Sequence, residues 1–92
     1  MNTKQALQEA FQQLNVGDLS TAGRLFEDVL RYEPKNFAAL NGRGFVALQQ
    51  SRFTESAADF QRSLAINTRQ PFAHKMLGIV LGAMGQLGAS MQ

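Results

Sequence analysis

The chain has 92 residues, 45% of them hydrophobic and 17% charged, with nine Lys and Arg against seven Asp and Glu for a net charge of +2. That is the composition of one small globular domain, and the absence of cysteine excludes a disulfide framework or a cysteine-based metal site. The basic residues are spread from Lys4 to Lys75 without clustering, so a nucleic-acid partner is not expected.

The first apolar stripe, Ala6, Leu7, Ala10, Phe11 and Leu14, has helical spacing, and Thr3 is expected to cap the helix that carries it. Asn15, Gly17 and Asp18 stop that helix and start the next, because glycine tolerates a positive φ and Asn or Asp bonds to nearby backbone. The second helix is predicted from Leu19 or Ser20 to Tyr32. It places Ala22, Leu25, Phe26, Val29 and Leu30 on one side and Arg24, Glu27, Asp28 and Arg31 mostly on the other. Pro34 ends it. A third helix follows from about Phe37 to Gln49 or Gln50, with Asn36 as its cap. Its Gly42 and Gly44 weaken it by up to about 1 kcal/mol each relative to alanine, which calls for compensation by close helix packing. The fourth helix, Phe53 or Thr54 to Ile66, is expected to bury Ala57, Phe60 and Leu64, with Ser56 and Ser63 beside them. Pro71 opens a fifth, apolar on nearly every side through Phe72, Met76, Leu77, Ile79, Val80, Leu81 and Met84, and Gly85 is expected to end it.

Shifting the sequence by 34 residues superposes much of this pattern on itself. Leu19 falls on Phe53, Ala22 on Ser56, Phe26 on Phe60, Leu30 on Leu64; Ala10 falls on Gly44 and Gly78, and Gly17 on Ser51 and Gly85. A fixed period of this length with helical spacing inside it marks an array of stacked helical hairpins. The chain resembles the tetratricopeptide repeat family over essentially its whole length. The small residue of the first helix falls on Ala10, Gly44 and Gly78, and the turn glycine on Gly17 and Gly85. The second helix opens on Leu19, Phe53 and Leu87, with its small residue at Ala22, Ser56 and Ser90, its aromatic at Phe26 and Phe60, and the closing proline at Pro34. The departures are Ala6 and His74 in place of large apolar residues, Glu9 and Arg43 in place of leucine, and Thr68 in place of proline. The resemblance implies an all-α, right-handed α-solenoid of about five helices forming one domain, 1–92, with repeats at 3–36 and 37–70 and a truncated third at 71–92.

In that family the first helices line a concave groove, which places Lys4, Leu7, Phe11, Leu14, Ala38, Asn41, Phe45, Leu48, Phe72, Lys75 and Ile79 on it. Such an apolar surface suits an amphipathic helix or an extended segment with apolar anchors. Stripes at helical spacing more often form core, and Phe11, Phe45 and Leu48 are open to that reading too. Some members clamp a peptide carboxylate, but the matching positions here are Leu7, Phe11, Gly42, Phe72 and Met76, none of which pairs with one. Gly42 and Met76 likewise replace two rungs of the asparagine ladder of a sugar-transferring relative. His74, the sole histidine, has no carboxylate at i±4 and reads as structural. No catalytic, cofactor or metal residues are expected, and the chain is not expected to be an enzyme.

The interrupted N-terminus lacks the apolar run of a secretory signal, and Met76 to Gly85 spans about 15 Å as a helix against about 30 Å of bilayer hydrocarbon. A cytoplasmic location without membrane partners is expected, and the GxxxG of Gly78 and Gly82 is absorbed by the repeat pattern. The fifth helix lacks the partner that the repeat would supply, which predicts self-association to a homo-oligomer through Leu77, Val80, Leu81 and Met84. The expected function is a scaffold or adaptor binding a protein or peptide partner. The alternative is the N-terminal, substrate-positioning repeat region of a longer enzyme such as a glycosyltransferase or sulfotransferase, which a reading frame continuing past Gln92 would reveal.

Overall fold

Short polar side chains start the first three helices. Asn2 accepts the Gln5 amide, Asp18 the Thr21 amide and Asn36 the Ala39 amide, each at 3.1 Å, satisfying donors that a helix N-terminus otherwise strands. A computed structural model describes residues 2–90, and the side chains of residues 2–85. It contains α1 (Thr3–Asn15), α2 (Leu19–Tyr32), α3 (Phe37–Gln49), α4 (Phe53–Ile66) and α5 (Pro71–Ser90). There is no strand among the described residues. Helices α1, α3 and α5 begin 34 residues apart, as do α2 and α4.

The cap of α1 is Asn2, not Thr3. Thr3 is already helical and its hydroxyl donates instead to Glu33, which also accepts from Asn36 Nδ2 at 3.0 Å. These two bonds, that from Thr3 first, hold the Glu33 carboxyl below its ordinary range. Asp18 is lowered in the same way by its bonds to Thr21. Helix α4 departs from the pattern: Arg52 occupies the cap position without a capping side-chain bond and pairs with Glu55 at 2.8 Å. Glu55 places a negative charge in the first turn, where the helix dipole favours it.

The turns between α1 and α2 and between α3 and α4 each use one residue at positive φ, Gly17 at 85° and Ser51 at 61°. Gly85 makes no such turn, and α5 continues through it to Ser90. At the first site Asn15 and Asp18 flank the glycine and bond to local backbone, whereas Gly85 sits between Met84 and Gln86, which are good helix formers. The repeat matches at Leu87 and Ser90 fall outside the described side chains.

Each helix packs on its neighbours along the chain, and α3 also touches α1 and α5. The core divides into two clusters that meet at α3. One gathers Ala10, Ala22, Phe26, Val29, Ala39 and Val46; the other gathers Ala57, Phe60, Leu64, Ala73 and Val80, with Phe45, Leu48, Met76, Leu77 and Met84 packed against it. Phe26 and Phe60, 34 residues apart, are both fully buried. Each lies on a glycine of α3. A methyl group at Gly42 would overlap the Phe26 ring, and one at Gly44 would stand between 3.0 and 3.2 Å from three Phe60 carbons. The two helix-weakening glycines thus make room for the two aromatic anchors. Gly78 differs, since nothing lies within 4 Å of a methyl group placed there. Its counterparts are covered because a second helix folds over them.

Ser56 and Ser63 are fully buried, and Ser56 Oγ donates to the Gly44 carbonyl at 2.7 Å, so a hydroxyl in the alanine position of the first repeat still finds a partner. Arg43, in place of a leucine, forms two parallel bonds to Asp59: Nε to Oδ2 at 3.0 Å and Nη2 to Oδ1 at 2.8 Å. The hydrogen bond to Asp59 raises the guanidinium pKa further above its ordinary value. The acidic residues of α2 behave as a solvated face, with Asp28 and Arg31 loosely paired at 3.6 Å.

Candidate partner groove

Helices α1, α3 and α5 present their side chains to one another across a groove of about 540 Å³, inside the range of about 300–1,000 Å³ typical of ligand sites. Phe11, Leu14 and Asn15 form one wall from α1, Phe72 closes the far side from α5, and Phe37, Ala38, Asn41, Gly42 and Phe45 line it from α3. No lining side chain is charged. The phenyl rings are held by deeper aromatics. Phe11 meets the buried Phe26 edge-on, with ring centroids 4.9 Å apart, and Phe72 meets Phe60 in the same way at 6.3 Å. Phe11 remains 37% exposed and Phe72 49%, so each ring is anchored on one side and uncovered on the other.

Of the residues expected on the groove, Phe11, Leu14, Ala38, Asn41, Phe45 and Phe72 come together. Leu7 packs against the first core cluster and Leu48 against the second, so both serve the interior. Lys4 and Lys75 are exposed but lie outside the lining, and Ile79, 46% exposed, continues the Phe72 face of α5 two turns further on. Asn15, Phe37 and Gly42 complete the lining without having been expected there. Asn15 and Phe37 end and begin their helices, where side-chain direction depends on the turn and not on helical period. Gly42 lines the groove by exposing backbone.

The floor holds a polar network. Gln70, 8% exposed, donates from Nε2 to the carbonyls of Ser63 at 3.0 Å and Asn67 at 2.7 Å, and its Oε1 accepts from Asn41 Nδ2 at 2.7 Å. Asn41 Oδ1 is buried and has no hydrogen-bond partner. His74 lies outside this network; its Nε2 donates to the Thr68 carbonyl at 2.9 Å and ties α5 to the preceding connection.

On α5, Val80 is fully buried against α4, and Leu77 and Met84 pack against the same cluster. Val80 is therefore core within the chain, and of the four residues expected to self-associate Leu81 is the one left widely open, at 47%. The uncovered apolar surface of α5 consists of Phe72, Ile79 and Leu81 beside Gly78 and Gly82. Among the described residues no group of three His, Asp or Glu is placed to hold a metal ion, and no helix is long and apolar enough to cross a membrane.

No protein-family model matches the chain. A curated relative, cellulose synthase 1 operon protein C of Komagataeibacter xylinus, is 34% identical over 64 residues, which are 70% of this chain. The chain spans about 5% of that relative's length.

Proposed function

We propose that the chain is a non-enzymatic protein-interaction module, a stack of helical hairpins of the tetratricopeptide kind, which takes a peptide or helix of a protein partner into the groove of α1, α3 and α5. The observation that carries this reading is the convergence of Phe11, Phe45 and Phe72, from three different helices, on one uncharged groove. Burying an aromatic side chain removes about 150–250 Å² from water, so these half-open rings are the largest gain that an incoming apolar anchor finds on this surface. The 34-residue recurrence of helix starts supports the repeat architecture, and a chain without cysteine suits a cytoplasmic address.

A selection from a random peptide library tests it. The selected peptides are expected to carry apolar anchors and to shift the NMR signals of Phe11, Phe45 and Phe72, and Phe72→Asp should weaken them at least about tenfold by placing a charge among the rings. Selected peptides that map elsewhere and ignore Phe72→Asp would overturn it.

Self-association through α5 belongs to the same proposal and is supported by the exposure of Ile79 and Leu81. Light scattering over a dilution series should give twice the 10.1 kDa chain mass. The pair Ile79→Glu and Leu81→Glu should return the mass to that of one chain without loss of helicity. A wild-type chain monomeric at every concentration rejects the idea. A second reading, a substrate-positioning repeat region within a longer enzyme, draws its support from the match to a small part of a far longer relative.

A further inference from the structure

The unpaired Asn41 oxygen says what kind of anchor the groove takes, granted the reading of the groove as a protein-binding site. Backbone carbonyls only accept, so the Gln70 side chain must turn its NH₂ toward Ser63 and Asn67 and its oxygen toward α3. That oxygen in turn requires the NH₂ of Asn41, at 2.7 Å. Rotating the Asn41 amide by half a turn would set two oxygens face to face. Its Oδ1 is thus fixed as an acceptor, buried, and without a donor, in the lining of the groove.

We infer that the partner segment inserts a tryptophan, whose ring fills the space among the phenyl rings and whose indole N–H bonds to Asn41 Oδ1. The choice follows by chemistry. A buried acceptor seeks a donor, which phenylalanine and the aliphatic side chains lack. Lysine and arginine carry donors, but no carboxylate lines the groove to balance their charge. Serine and threonine leave most of the apolar wall uncovered. A tyrosine hydroxyl brings a donor together with lone pairs that would be stranded in turn. Indole has one N–H and no acceptor, on the largest apolar body of any side chain.

The chain contains no tryptophan, so indole emission reports on an added peptide alone. Capped pentapeptides with a central tryptophan, 1-methyltryptophan or phenylalanine, between alanines, are titrated with the wild-type chain and with Asn41→Ala. The tryptophan peptide is expected to bind with blue-shifted emission. Methylating the indole nitrogen should weaken it about tenfold, the worth of one hydrogen bond. Asn41→Ala should weaken the tryptophan peptide by a similar factor and leave the methylated one unaffected. The methylated peptide on the wild-type chain gives the answer even where Asn41→Ala disturbs Gln70. Equal affinity for all three peptides would overturn the indole bond while leaving the apolar groove in place. Failure of all three to bind would overturn both.

Discussion

Gly42→Ala is expected to lower the stability of the chain by about 3 kcal/mol, although alanine is the better helix former by about 1 kcal/mol. The added methyl group would overlap three atoms of the Phe26 ring, of which even the farthest, Cε2, lies at 2.7 Å. Phe26 has no room to retreat: it is fully buried, with Phe11 edge-on against it. The strain therefore passes into the backbone and forces α2 away from α3. Gly78→Ala provides the opposite case, because nothing lies within 4 Å of the new methyl group. There the helix propensity is gained without a clash, and stability should rise by up to about 1 kcal/mol. Urea unfolding followed by circular dichroism reads both. A Gly42→Ala midpoint at or above that of the wild-type chain would mean that α2 and α3 do not approach as described.

The second large effect is expected at Arg43. Arg43→Leu restores the residue usual in the resembled repeat, yet should destabilise the chain by about 3 kcal/mol, because it leaves the Asp59 carboxylate buried without its two donors. The Asp59 side chain is only 6% exposed, against 27% for Arg43. Asp59→Ala should do less damage, since the freed guanidinium can turn to water and lies in the field of Glu27 and Glu55. Combining Arg43→Leu with Asp59→Ala should recover most of the loss, as apolar replacement of a buried ion pair commonly does. The double-mutant cycle isolates the coupling. A neutral Arg43→Leu would show that the pair is solvated.

The helices were legible because their punctuation is chemical and local: Asp18 and Asn36 as caps, Pro34 as a stop, Pro71 as a start. The reading failed where one residue type has two uses. Gly85 follows the repeat position of Gly17, but a glycine turns a helix only where its neighbours stabilise the turn, and Gln86 does not. Asn2 and Thr3 are both good caps, and the position of Glu33 decided between them by engaging the Thr3 hydroxyl. The groove phenylalanines followed from period and resemblance, because ring positions repeat with the helices. The polar links did not. Arg43 and Asp59 are 16 residues apart and Asn41 and Gln70 are 29 apart, so their pairing depends on which faces of separate helices meet. The C-terminal helix was legible as underused apolar surface, but which side lay open was not. Val80 differs from Leu81 only in facing α4.

The order in which the helices touch also governs how fast the chain finds its structure. Every helix contacts its neighbours in sequence, with α3 reaching one further in each direction. No pairing waits for distant segments to meet, so the loop-closure entropy lost before contacts form is small, and folding belongs to the microsecond-to-millisecond regime of low-contact-order helical domains. The same order grades the kinetics of opening. Helix α3, held from both sides and bearing the glycines under both aromatic anchors, opens last, while α1 and α5 are each released by the loss of a single flanking helix. The groove spans all three, so its two outer walls exchange with solvent sooner than its floor, and a partner meets a surface hinged on a slow centre.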